Sequence, residues 1–416
     1  MILLRNVLHQ DAPADILIDG RIIAQVSRSP LNVPGAEVVD CSGKAVFPGF
    51  VNMHTHAAMI LLRGIHEDLA LYDWLGKIWK IEAGMDREFI YWATKAACLE
   101  MIRSGTTTFN DQYWFCPHAR RAAVEMGLRP VVSFIFLDSW DQSLARRQRE
   151  ACQKLYLRSL EWGDESQFAI SIHSVYTVCR ENIIWAADFA REHGLRLHLH
   201  LSETAIENED CRKANGGLSP TEYFDSLGVW GPDVIAAHAL YLSDNDIRIL
   251  GDHRVNCVHC INSNLKLSSG YRFRYNELRD AGANVCLGTD GAASSNNLDM
   301  LEHMKNTAIL QKAWRGTPTA MPLGELFESA TINGARALGL NAGSIREGSL
   351  ADLFLADLGS VSFLSPAPAA ANLVYAAHSD VISDVMTAGR WLMRSRQIPG
   401  EEDILSGARN VLSQIK

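Results

Sequence analysis

Long apolar runs are missing. Nowhere do eighteen apolar residues stand together, and a helix crossing a bilayer needs about twenty. The opening residues 1–11 hold too short an apolar core for a secretion signal and read as a first strand. Positive charge is sparse as well. The formal charge is −9, and no basic stripe is present to track a phosphate backbone, which argues against nucleic acid as a partner. The densest basic cluster, Arg146-Arg147-Gln148-Arg149, lies between Asp141 and Glu150 and reads as a solvated helix face, with contact to a substrate carboxylate as its alternative. Tandem repeats are absent. So is a second CxxC to partner Cys257-Val258-His259-Cys260, which speaks against a zinc ribbon. The nine cysteines are scattered, several inside apolar runs (Cys98, Cys257, Cys286), as expected of reduced thiols in a cytoplasm.

What is present is a core and a change of pattern. Hydrophobic residues make up 47% of the 416, enough for two or three domains or one large barrel with an attachment. Ile16–Ile18 and Arg21–Val26 flank an Asp19-Gly20 turn and predict a hairpin. Short strands are also expected in Gly343–Asp357 and Val381–Met393, with a turn at Ala388-Gly389. Neither end has enough strands to close a core alone. Residues 1–45 and 343–416 are therefore expected to form one small β-sandwich domain, with Ser362–Ala371 as a linker-like stretch.

Between the ends, residues 46–342 alternate β-rich and helix-like segments. The β-rich runs are Val46–Val51, Thr106–Phe109, Pro130–Phe136, Phe168–Ile172, Leu195–Leu201, Val234–Ala237, Arg254–Val258 and Asn284–Leu287. Helices are expected at Glu88–Arg103, Pro117–Met126, Leu144–Trp162, Arg180–His193, Pro220–Leu227 and Ser243–Leu250, the last opened by a Ser243/Asp246 capping box. Eight such repeats predict an α/β fold, a parallel (β/α)8 barrel. The alternative is a doubly wound sheet, but no GxGxxG follows the first run.

In a barrel the chemistry gathers at the C-terminal strand ends. Those ends carry His54 and His56, Asp111, His173, His198 and His200 with Glu203, His238, His259 and Asp290. One buried histidine is ordinary, whereas repeated histidine and aspartate on converging strands make a site. Alternation puts His54 and His56 on one side of their strand, so both can share a metal ion that needs about four donors. His198 and His200 also share a face. His200 is nearer the strand end and Glu203, so it is the ligand chosen, with His198 one layer deeper. Glycines flank Asp290 and allow close approach; its carboxylate can serve as ligand and as base.

Five stretches together, FPGFVNMHTH, HLSE, AAHA, SNLKLSSG and LGTDGAASSNN, resemble the amidohydrolase superfamily, and within it the branch of 5′-methylthioadenosine and S-adenosylhomocysteine deaminases. The resemblance spans nearly the whole chain. It implies His54, His56, His200 and Asp290 as ligands of one divalent metal, Zn2+ with Fe2+ as the alternative. Glu203 resembles the acid/base that protonates the ring nitrogen, and His238 the histidine that orients the attacking water. Asp290 would take that water's proton. Trp74 and Glu82 match positions lining a nucleoside pocket, with Glu82 accepting two ribose hydroxyls, and His173 would contact the purine. No lysine ends the fourth strand, as a two-metal relative would require. His259-Cys260-Ile261-Asn262 lacks the family's usual proline. After the third strand the glycines that accompany a carboxylate-binding arginine are missing, which leaves Arg146 or Arg147 as candidates and favours smaller 5′-modified adenosines.

The resemblance thus implies a hydrolytic deaminase of a small nucleoside that assembles as a homo-oligomer, a dimer or larger. Its rivals are an aminohydrolase or chlorohydrolase of guanine, a pterin or a triazine, and, from another class, an inactive scaffold barrel.

Overall fold

The computed structural model describes residues 1–414. Eight parallel strands follow in chain order: Phe50–Thr55, Thr106–Asp111, Arg129–Phe136, Gln167–Ile172, Arg196–Leu201, Val234–His238, Asn256–His259 and Asn284–Leu287. Each pairs with its sequence neighbour, and helices cover the outside, so a near-closed (β/α)8 barrel results. The first and eighth strands meet across a side-chain seam. Asn52 donates to Thr289 Oγ1 (2.7 Å) and accepts from Thr289 N (3.0 Å), while Asp290 N donates to His54 O (2.9 Å). Gly288 makes that approach possible, because a Cβ there would sit 2.8 Å from His54 Cβ.

The chain ends pair into a second, mixed sheet of eight strands. Its order is Arg390–Met393, Ile382–Thr387, Leu353–Asp357, Lys44–Pro48, Ile2–His9, Ala12–Asp19 and Ile22–Ser27, with Glu37–Asp40 beside Ile2–His9. Lys44–Pro48 runs antiparallel to Leu353–Asp357 and joins the two ends. Leu4, Val7, Ile16, Val46, Leu353 and Met386 give this sheet a core of its own. Buried Arg129, at the foot of the third barrel strand, pairs with buried Asp352 and ties the two sheets together.

The run Val46–Val51 is two strands, not one. Pro48 offers no N–H, and Gly49 passes so close to Thr107 that a Cβ would lie 2.3 Å from its side chain. Val46 and Phe47 therefore belong to the end sheet, and Phe50 and Val51 to the barrel. The expected helices form, with α2 at Arg87–Arg103, α3 at Cys116–Met126, α4 at Gln142–Ser159 and α5 at Arg180–Glu192; an unexpected α6 at Ala205–Ala214 precedes the last two expected ones, Pro220–Ser226 and Asp244–Asp252. Before them lies α1, Leu71–Glu82, which buries Leu71, Trp74 and Ile78 at helical spacing and roofs the strand ends. The C-terminal segment also departs from the all-β expectation. Helix Glu401–Leu412 packs on α2, where Gly407 lets Trp92 come within 2.4 Å of a virtual Cβ, and Glu401 pairs with Arg103 at 2.5 Å. Part of the linker-like stretch is helical too, in Ala369–Tyr375.

Candidate metal centre and active site

The first strand is buried at every position, so His54 and His56 emerge at its end with little freedom. Each expected ligand has one ring nitrogen engaged. His54 Nδ1 lies 2.8 Å from His198 Nε2, His56 Nδ1 donates to Gln112 O (2.6 Å), and His200 Nδ1 donates to His173 O (2.7 Å). Such contacts orient imidazole ligands and turn Nε2 toward the ion. Asp290 Oδ1 stands 3.3 Å from His54 Nε2 and 3.2 Å from His56 Nε2. The carboxylate is held by Gly291 N (2.8 Å) and Ser294 Oγ (3.0 Å), on a backbone with φ 62°.

Two overlapping donor groups result: His54, His56 and Asp290, and His54, His200 and His238, each with its ligand atoms within 4.8 Å of one another. His238 differs from the other three. Its Nδ1 faces the amide nitrogen of Asn264 at 3.0 Å and accepts from it, so the ring proton sits on Nε2. That nitrogen is therefore a donor, and it lies 3.7 Å from Glu203 Oε2. Three imidazoles and one carboxylate remain, a donor set suited to a zinc-like ion. His54 Nε2 fits this assignment, being fully buried with no hydrogen-bond partner.

The charges agree. Burial pulls His54 down to about 4, and burial with repulsion from its neighbours pulls His173 down to about 3, which keeps both neutral. Burial also opposes a charge on Asp290, but the close approach of the His54 and His56 imidazoles holds it well below the usual carboxylate range. His56 is pushed up to about 9 against its burial by the same carboxylate. A cation is thus favoured at this point. Glu203 behaves in the opposite way, raised to about 8 chiefly by burial and then by the charge of Asp290.

Glu203 follows the fifth strand in a tight turn, with Ser202 at φ 46°. Ser269 Oγ donates to its Oε1 at 3.1 Å. The turn is gripped by Glu207, whose two oxygens accept from Ser202 N (2.9 Å) and Glu203 N (2.8 Å). Glu207 sits three residues after Thr204, the N-cap of α6. This Thr-x-x-Glu pattern was the sequence signal for it, although here the carboxylate reaches past the cap.

Trp74, Glu82 and His173 line the cavity over these residues, with Trp79, Tyr113 and Tyr176. Tyr113 donates to Glu82 Oε1 at 2.5 Å, and burial raises the Glu82 carboxyl. Trp74 is buried and its indole N–H has no partner. Arg146 is not brought to the site. It is exposed on α4 and does not line the cavity, because Ala145 and Cys152 form the buried face of that helix. Neighbouring Arg147 donates to Ser143 on the same helix. Glu207, Ser269, Asn264 and His198 complete the site around the expected residues.

The model of the amidohydrolase family matches residues 45–392. This chain belongs to that family. Among curated amidohydrolase relatives it is 40% identical over 421 residues to the 5′-deoxyadenosine deaminase of Methanoregula boonei, covering all of this chain and 95% of that one. It is 41% identical over 392 residues to 5-methylthioadenosine/S-adenosylhomocysteine deaminase 1 of Archaeoglobus fulgidus, covering 94% of this chain and 92% of that one. A crystal structure of an adenosine deaminase from Xanthomonas campestris with bound zinc superposes with a TM-score of 0.92 at 32% identity, covering 97% of this chain and 93% of that chain. The amidohydrolase barrel therefore carries a divalent-metal donor set at its strand ends, and the fourth strand ends in His173 rather than a lysine.

Proposed function

We propose that the chain is a single-metal hydrolytic deaminase of adenine nucleosides, 5′-deoxyadenosine, 5′-methylthioadenosine, adenosine or S-adenosylhomocysteine, giving the inosine analogue and ammonia. The observation that carries the reading is the 3.7 Å approach of the His238 donor to Glu203, directly beside the His54–His56–His200–Asp290 cluster. Zn2+ is the first choice for that cluster and Fe2+ the alternative. When bound, such an ion supplies Lewis acidity that makes water nucleophilic near neutral pH.

This chain's own residues do the rest. Glu203, raised to about 8, keeps a proton at neutral pH and gives it to N1 of the purine, so that C6 accepts the oxygen of water. His238 donates from Nε2 to that oxygen. Asp290 takes one proton of the water and passes it to the amino group, and the new hydroxyl on C6 gives its proton back to Glu203, so that ammonia leaves, C6 becomes a carbonyl and Glu203 is reset. His173 contacts the purine, and Trp74 has a free N–H to offer. Glu82 accepts the ribose hydroxyls. In this reading the barrel within residues 46–342 is the catalytic unit, and residues 1–45 with 343–414, joined by the end-sheet strand Lys44–Pro48, form a sandwich-like support. The enzyme works in the cytoplasm, as nine buried free thiols support, and as a homo-oligomer.

The test is ammonia release from a panel of adenosine, 5′-deoxyadenosine, methylthioadenosine, S-adenosylhomocysteine, guanine and a triazine by zinc-loaded protein. Turnover of the ribosides, lost on Glu82→Ala, is the expected result. Turnover of guanine or the triazine alone would overturn the reading.

A further inference from the structure

Glu203 hangs from a turn that the start of α6 does not itself require. In a capping box the third helical residue reaches back to the backbone N–H of the N-cap. Thr204, the N-cap here, does accept from Glu207 N (3.1 Å). The Glu207 carboxyl, however, passes Thr204 and takes the amides of Ser202 (2.9 Å) and Glu203 (2.8 Å). Two successive N–H groups turned the same way form a concavity that favours such an acceptor. Glu207 is buried, and burial raises its carboxyl to about 8 against the pull of those two hydrogen bonds. Burying a carboxyl is costly. Its two oxygens therefore have their use in what they hold.

They hold Ser202 at φ 46°, a left-handed backbone that a serine adopts only under constraint. Ser202 O accepts from Leu240 N (3.2 Å) and Tyr241 N (3.0 Å). The turn after the fifth barrel strand is thus stitched to the turn after the sixth, which carries His238. Asn208, next to Glu207 on α6, donates to Tyr241 O (2.5 Å), and the Tyr241 hydroxyl donates to Ser269 O (2.7 Å). Ser269 is the residue whose Oγ bonds Glu203 Oε1. A ring of contacts closes around Glu203, from Glu207 at its backbone to Ser269 at its carboxyl. Neither Glu207 nor Tyr241 lines the catalytic cavity.

We infer that Glu207 and Tyr241 are positioning residues: remote from the reacting atoms, they hold the Glu203 carboxyl and the His238 N–H in register with each other. The inference rests on the deaminase reading above, in which Glu203 carries the proton to the purine.

The experiment measures kcat, KM and zinc content of wild type, Glu207→Gln and Tyr241→Phe, with the riboside of the panel above that the wild type turns over fastest. In Glu207→Gln one acceptor oxygen remains and an NH2 group meets the other backbone N–H, so the turn shifts. A misplacement of about 1 Å can cost about 10²-fold in rate, and a fall in kcat of about that size is expected, with KM within about threefold and zinc content unchanged. Tyr241 is 37% exposed, so its variant keeps the fold even where the buried one does not. Tyr241→Phe is expected to lower kcat by about threefold or more, the worth of one hydrogen bond, again at unchanged KM. A packing role would instead reduce the zinc-loaded, folded fraction and leave kcat per bound zinc intact. Wild-type kcat per bound zinc in either variant, or a change confined to KM, overturns the inference while wild-type turnover leaves the deaminase reading standing. No ammonia from any riboside overturns both.

Discussion

His198 Nε2 lies 2.8 Å from His54 Nδ1, with both rings fully buried. In the proposed metal centre His198 fixes the plane of His54 without reaching the ion itself, and Asn110 Nδ2 in turn lies 3.1 Å from His198 Nδ1. Removing such a support costs roughly 10–100-fold in metal affinity. His198→Ala should therefore weaken zinc binding by about that factor, read by chelator competition. Unchanged affinity would make His198 a packing residue only.

Glu203→Gln keeps the side chain's size and the Ser269 hydrogen bond but cannot cycle a proton. Full metal content with turnover lowered by roughly 10²–10⁴-fold is expected, measured by metal analysis and ammonia release. A variant with near-normal kcat would remove Glu203 from the acid role.

The pH profile follows from the same group. Its folded value of about 8 lies above the ordinary 4.5, so the proton-bearing form is complete well below 8 and is lost as pH rises through it. A bound cation offsets the charge of Asp290, which moves the loss downward. The rate should thus fall on an alkaline limb at or below about 8. Ser269 holds the value down through its hydrogen bond, so Ser269→Ala should move that limb to higher pH. A limb that stays in place in this variant counts against the assignment.

Arg129 and Asp352 are both buried, and Asp352 also accepts from Ala388 N at 2.7 Å. Asp352→Ala leaves a guanidinium uncompensated between the barrel and the end sheet. A loss of about 3–5 kcal/mol of stability is expected in denaturant unfolding, with metal affinity little changed. A loss below about 1 kcal/mol would mean that water reaches the arginine.

The proposed metal ligands rest on period-two alternation, which survives burial. His54 and His56, or His198 and His200, must share a face wherever their strands lie. The choice of His200 over His198 followed from depth along the strand, and the hydrogen bond to His54 explains what the deeper ring does. Loop partners were less visible. Ser269 and Asn264 reach Glu203 and His238 from a different segment, and spacing along the chain carries no trace of that contact. Arg146 stood out by charge, but its helix turns it to solvent. The break at Gly49 was hidden because both sheets bury the same apolar residue types. The helix at Glu401–Leu412 was masked by the strands expected around it, and its docking on Trp92 depends on the absent side chain of Gly407.

The antiparallel pairing of Lys44–Pro48 with Leu353–Asp357 also sets an order of events during synthesis. The early half of that sheet emerges from the ribosome with an unpaired edge and keeps it until residues 353–357 of the 416 have been made. Long-range closure of this kind is slow and leaves the nascent chain open to mispairing. Premature termination just before residue 353 would strand a nearly complete catalytic barrel beside a sticky, half-built ribbon.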